Sequence, residues 1–185
     1  MAAVALVREQ GLPKLTQPRL AKAAGVSQSH LTYYFPTRTD LLHAVLERAA
    51  QLQRAGVQAT IAAADKGRAA LVRQLAEQLS RPENTRVLVS FVLAADTDPA
   101  ARALFEGLVV GMRATIADML EKVGITPSPE NVAMVHAVGT GLAILELALG
   151  GSAATQPSTA ATMRQLFELL GEGGPPSAED PGAPS

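Results

Sequence analysis

Apolar residues recur along this chain three and four positions apart, in stretches cut by glycine and proline. The cuts fall at 11–13, Gly25, Pro36, Gly67, Pro82, Pro99, 124–129, 150–157 and from Gly171 onward. Between them the spacing is helical and not the alternation of a strand. The pattern predicts about nine helices. Three short ones lie near 1–10, 17–24 and 28–34. Longer ones follow at 38–62, 67–80, 83–96, 99–123, 129–149 and 158–170. The fold class expected is all-α. The polar, glycine- and proline-rich stretch 172–185 cannot bury enough apolar surface to offset its ordering entropy, which predicts a disordered tail.

Two helix starts carry explicit caps. Thr37 with Asp40 three residues on reads as a capping box. Ser128, Pro129 and Glu130 supply a cap, a first-turn proline and an acid at the positive dipole end. The stretch 129–149 is apolar nearly all round, so it needs partners on more than one side. Its longest run free of charge, between Glu130 and Glu146, is 15 residues. That is short of the roughly 20 a membrane span needs. No basic segment followed by an apolar run opens the chain, and a cytoplasmic location with no membrane partner is expected.

Composition narrows the chemistry. The 185 residues include 34 alanines, no cysteine and no tryptophan. Disulfides, thiolate metal sites and cysteine nucleophiles are excluded. Net charge is −1, which excludes a globally basic nucleic-acid binder. The charge is uneven, however. Residues 1–48 hold six basic against three acidic side chains, a net of +3, which leaves −4 on the remainder. A basic end on an acidic body is compatible with nucleic-acid contact at that end. The three histidines, His30, His43 and His136, are far apart, and no metal-protease, nucleophile-elbow or phosphate-loop motif is present. Neither catalysis nor a cofactor or metal is expected.

The informative segment runs from Gln17 to Phe35. A helix-turn-helix needs a small residue where its helices meet, and Ala21 fits. It needs a residue tolerant of positive φ at the turn, and Gly25 fits. Leu20, Ala24, Val26, Leu31 and Tyr34 are placed to face a shared core, and Ser27 to cap the second helix. That leaves Gln28, Ser29, His30, Thr32 and Tyr33 pointing outward, polar and with no acid among them. Such a face suits a helix laid in a major groove.

The segment Ala-Ala-(x5)-Arg-Glu-Gln-Gly-Leu, then Leu-Ala-Lys-Ala-Ala-Gly-Val-Ser, then Leu-Thr-Tyr-Tyr-Phe-Pro-Thr-Arg-Thr-Asp-Leu-Leu resembles the DNA-binding domain of tetracycline-repressor-type (TetR-type) transcriptional regulators. The resemblance implies a DNA-binding domain over 1–47, an effector-binding and dimerisation domain over 48–171, and a tail over 172–185. It implies a homodimeric repressor on an inverted-repeat operator of double-stranded DNA, relieved by a small, mainly apolar effector. Thr16 and Gln17 would meet a phosphate through hydroxyl, amide and helix N-terminal groups. Gln28, Ser29 and His30 would face bases, Tyr33 and Tyr34 would flank the groove, with Tyr34 as readily core as contact, and Ser27 and Thr32 would belong to the same DNA-binding set. Arg38 would clamp a phosphate, and His43 is not expected to touch DNA. Thr32 stands where the family usually has tyrosine, and His30 where threonine is usual. Met1 sits almost on the first helix, where the family normally has a basic arm and another helical turn, so that helix reads as truncated: either the true start lies upstream, or the chain is trimmed, or DNA is bound without an arm.

The same resemblance implies an effector pocket in the body, with Phe91, Phe105, Leu108, Met112, Met134, His136 and Thr140 as candidates and Arg86 and Arg113 as polar anchors. Met and Phe at these spacings are more often ordinary core. Dimerisation would use the last two helices through Val135, Leu142, Leu145, Met163, Leu166, Phe167 and Leu170, with Gly139 and Gly141 permitting close approach; the alternative is that these two helices simply finish the monomer core. The competing reading is a helical ligand-binding or scaffold dimer that no longer binds DNA.

Overall fold

The computed structural model describes residues 2–150 and 158–172; the side chains at 13, 38 and 52–59 lie outside that description. The expected tail therefore falls almost wholly outside the described residues. Among the described residues nine α-helices follow one another: α1 (Ala2–Gln10), α2 (Gln17–Ala24), α3 (Gln28–Tyr34), α4 (Arg38–Ala64), α5 (Arg68–Leu79), α6 (Pro82–Thr97), α7 (Pro99–Lys122), α8 (Pro129–Leu149) and α9 (Thr159–Glu172). A single 3-10 turn, Leu12–Lys14, joins α1 to α2 and was not anticipated from the spacing. Its Pro13 sits in the first turn, where a missing N–H costs nothing. No strand occurs among the described residues. α9 continues to Glu172, two residues past the expected end near 170.

The punctuation works as the chemistry of turns requires. Gly25 adopts φ 68°, and the N–H groups of Gly25 and Val26 return to the carbonyls of Lys22 and Ala21. That closes α2 with a left-handed cap that an L side chain rarely fits. At α4 the capping box is complete. Asp40 N–H donates to Thr37 Oγ1 at 3.1 Å, and Thr37 N–H donates to Asp40 Oδ2 at 3.0 Å. The hydrogen bonds from Thr37, side chain first and backbone second, hold the Asp40 carboxyl below its ordinary value of 3.8. The folded-state value is the lower one, so this contribution is complete above pH 3.8 and is lost as pH falls through the depressed value. Thr37→Ala should cost about 1 kcal/mol, read as a lower urea midpoint at neutral pH.

Two cores form. The first gathers Val4 and Val7 of α1, Leu20 and Ala21 of α2, Leu31 of α3 and Leu41, Val45 and Leu46 of α4. It extends into the body through Val87, Phe91 and Ala94 of α6 and Ala101 of α7. The second gathers Leu71, Ile116, Leu120, Val132, Val135, Met163, Leu166 and Phe167 from α5, α7, α8 and α9. α4 runs unbroken through residue 47 and packs on α1 at one end and on α5 and α7 beyond it.

α8 packs against α5, α6, α7 and α9. It is nonetheless long and apolar enough, by length and composition, to cross a membrane, although the charge-free run alone had argued otherwise. Only 22% of its most apolar window is buried inside the protomer. A stripe at helical spacing (Met134, Ala137, Leu145, Ala148) stays exposed.

Candidate functional site

α2 and α3 are held at their crossing by a short network. Gln17 Nε2 donates to the carbonyl of Phe35 at 2.9 Å, tying the start of α2 to the end of α3. The Thr32 hydroxyl donates to the Gln28 carbonyl at 2.9 Å, with Gln17 Oε1 3.4 Å away. Gln17 and Thr32 thus have an internal, positioning role that the sequence reading did not include. Ser27 caps α3 as expected, its Oγ accepting from the His30 N–H at 3.1 Å. Thr16 takes the N-cap position of α2 but makes no side-chain cap bond, which leaves its hydroxyl free of that role.

The outward face of α3 is wider than expected. Leu31 is the helix's one buried residue. Ala24 and Val26, expected in the core, are exposed, and so is Tyr34 at 62%. The reason is size: α2 and α3 have eight and seven residues, and Leu20, Ala21 and Leu31 already fill the space between them and α1 and α4. Tyr34 instead joins two edge-to-face contacts, with His30 at 5.1 Å and with Tyr33 at 5.2 Å between ring centroids. Gln28, Ser29, His30, Tyr33 and Tyr34 form one exposed surface of amide, hydroxyl, imidazole and phenol groups without an acid. Aromatic rims and neutral donors of this kind suit base edges and sugar–phosphate backbone together. Arg38 opens α4 beside this face; its side chain lies outside the described residues. His43 is turned the other way. Its Nε2 lies 2.6 Å from Asp98 Oδ2, where α6 meets α7. That bond, with the backbone N–H groups of Ala100 and Ala101, holds the Asp98 carboxyl below its usual range.

The body contains a cavity of about 440 Å³. It is lined from α1 (Val4, Arg8), α4 (Ala49, Thr60), α5 (Gln78, Leu79), the start of α6 (Arg81, Asn84, Thr85, Val87, Leu88), α7 (Met112, Thr115, Ile116, Met119) and α8 (Val135, His136, Gly139, Thr140, Ala143). Met112, His136 and Thr140 are the sequence candidates that reach it. Burial, and secondarily the charge of Arg113, hold His136 below the usual histidine value, so it is neutral at pH 7. The remaining candidates lie elsewhere. Phe91 is buried in the first core and stacks on Phe105 at 6.4 Å. Phe105 and Leu108 pack on that core from outside. Met134 is 45% exposed on the far side of α8, and Arg113 is exposed on α7. Arg86 donates to the carbonyl of Arg8 at 3.1 Å, so it joins α6 to α1. Arg8, Thr60 and Asn84 were missed, because a concave surface is made by tertiary packing and leaves no mark in local spacing.

The residues expected at a dimer interface take these places within the protomer. Val135, Met163, Leu166 and Phe167 are buried in the protomer's own second core, because α5 covers the apolar stripe of α9. Leu142 and Leu170 are half-buried against the same core. Of the seven, Leu145 is the exposed one, at 44%. Gly139 faces α5 within the protomer, where a Cβ would stand 3.7 Å from Leu79 Cδ2, an ordinary contact, so this approach does not require glycine. Gly141 has open space around it.

Comparison with known proteins gives two successive family matches. Residues 1–45 match the family model "Bacterial regulatory proteins, tetR family". Residues 62–172 match the model "Tetracyclin repressor-like, C-terminal domain". The nucleoid occlusion factor SlmA of Haemophilus ducreyi is 46% identical over 43 residues, 23% of this chain and 21% of that protein. The chain thus matches about a fifth of the length of its curated relatives. The structure superposes on a transcriptional regulator from Rhodococcus sp. Rha1 with a TM-score of 0.73, at 20% identity over 93% of both chains. It superposes on the multidrug binding protein EbrR, complexed with imidazole, with a TM-score of 0.65, at 25% identity over 91% of this chain and 90% of that one.

Proposed function

Since the chain belongs to the tetR family of bacterial regulatory proteins and is a DNA-binding transcriptional regulator, we propose that it acts in the cytoplasm as a homodimeric repressor released from its operator by a small molecule. Residues 1–47 read DNA, and residues 48–171 bind the effector and dimerise. The observation that carries the reading is the acid-free, hydrogen-bonding face of α3, presented on a two-helix crossing that Gln17 locks from behind. In a twofold dimer two such faces address an inverted repeat whose half-sites lie about one helical turn (~34 Å) or a multiple apart. The exposed apolar stripe of α8 supports pairing of α8 and α9 with their mates, and Leu149 and Leu169 extend it. The cavity and the likeness to a multidrug binding protein complexed with imidazole support a small-molecule effector. Release follows if the ligand prefers a conformation in which the two reading faces are wrongly spaced.

Selection from a random duplex pool with purified protein at low salt, followed by sequencing, tests this. The expected result is an enriched inverted repeat whose binding weakens as salt rises. A folded dimer that enriches nothing would instead favour a ligand-binding dimer without DNA activity. On the selected operator, Gln28→Ala or His30→Ala should shift base preference at one position per half-site, at about 1–3 kcal/mol. Arg38→Ala should weaken all sequences alike and reduce the salt slope by about one per half-site. Uniform loss for Gln28→Ala would remove it from base reading.

A further inference from the structure

We infer that the body cavity takes an amphipathic organic anion, an apolar skeleton carrying a carboxylate, and that the anion pairs with Arg8 of α1. The inference rests on the reading of this cavity as the effector site, and it names the effector's chemistry and its point of contact.

The charge of the lining is one-sided. Its two formally charged residues, Arg8 and Arg81, are both positive, and no Asp or Glu is among the described lining residues. The stretch 52–59 holds no acid in its sequence either. A buried organic cation would lose its hydration, gain no carboxylate and face like charges. A buried charge left unpaired in this way is strongly unfavourable. An anion meets guanidinium groups whose forked N–H donors match a carboxylate. The remaining polar groups are neutral: the hydroxyls of Thr60, Thr85, Thr115 and Thr140, the amides of Gln78 and Asn84, and the imidazole of His136. Apolar surface from Leu79, Leu88, Met112, Ile116 and Met119 suits the rest of the molecule.

Of the two cations Arg81 is exposed, so Arg8 is the one placed inside the cavity wall. It is half-buried, and among the described residues it has no acidic partner. Its Nη2 donates to Asn84 Oδ1 at 3.0 Å, and Asn84 Nδ2 donates on to Gln78 Oε1 at 3.2 Å. A guanidinium has five N–H donors, so this neutral relay leaves others for a ligand. The placement matters as much as the charge. α1 packs on α2 and α4 beside the reading face, and its Arg8 carbonyl accepts from Arg86 of α6. A carboxylate on the free N–H groups of Arg8 therefore acts directly on a helix of the reading head, beside the Asn84 contact that helps tie that helix to the body.

Calorimetric titration of the full chain with decanoate, decanamide and decylammonium tests the assignment, because the three share one skeleton and differ in charge. Decanoate is expected to bind at least about tenfold tighter than decanamide, with decylammonium weakest. Arg8→Gln should bring the decanoate-to-decanamide ratio near one with decanamide affinity held within about twofold, and Arg8→Lys should restore part of the ratio. Equal affinities of decanoate and decanamide for the unmodified chain would overturn the anion assignment while leaving the cavity an effector site. A ratio that survives Arg8→Gln and collapses in Arg81→Gln would overturn the role of Arg8. Heat from none of the three would overturn the anion assignment and the effector reading of the cavity together.

Discussion

Phe167→Ala should remove about 3–5 kcal/mol of stability, the largest effect expected from any single substitution discussed for this chain. Phe167 is 1% exposed and sits in the second core with Met163, Leu71 and Leu120, each also almost fully enclosed. Deleting its ring loses the transfer free energy of an aromatic side chain and leaves a cavity. Four helices, α5, α7, α8 and α9, cannot close around that cavity without moving together. Domains of this size are stable by only about 5–15 kcal/mol, so the loss is a large fraction of the whole. Urea unfolding followed by helical circular dichroism should show the midpoint falling by roughly that proportion. A midpoint unchanged within error would mean that α9 is not seated on α5 in solution.

The second large effect concerns assembly. Leu145→Glu combined with Leu149→Glu places two charges on the exposed apolar face of α8, where each leucine is 44% exposed. The protomer core does not depend on either side chain, so folding should survive. An apolar helix pair cannot accept two unpaired carboxylates at its centre, so the dimer should not. A monomer reads one half-site and loses the effective concentration that tethers the second reading face. Operator affinity should then fall by about 10²–10⁴-fold. Sedimentation together with DNA titration checks both halves of the expectation. A variant that stays dimeric, with operator affinity within about threefold, would place the interface on another surface.

Much of this was legible in the sequence, and the particulars show where legibility stops. Gly25, Ser27, Thr37 with Asp40, and Ser128 act locally, through φ or through a bond three residues away, and the structure places each as its chemistry dictates. Helix ends were readable for the same reason. The neighbour of a stripe was not. Met163, Leu166 and Phe167 announce that one face of α9 must be covered, but α5 covers it, and no spacing within α9 distinguishes α5 from a second protomer. Val135 is ambiguous in the same way. Of the two places the sequence left open for Tyr34, the exposed one is taken, since two very short helices leave little core for it to enter. The cavity was least legible, because six helices contribute to its wall and Arg8 lies more than a hundred residues from His136.

α4 has a mechanical consequence. It is one unbroken helix of 27 residues, anchored against α1 at its start and against α5 and α7 beyond. At about 1.5 Å per residue it is a lever about 40 Å long, and a tilt of about 10° about one end carries the other about 7 Å. Successive base pairs are about 3.4 Å apart. An angular change of the size that a ligand-sized wedge could produce near Thr60 is thus enough to move each reading face by about two base-pair steps, which turns a local repacking into an error of register on DNA.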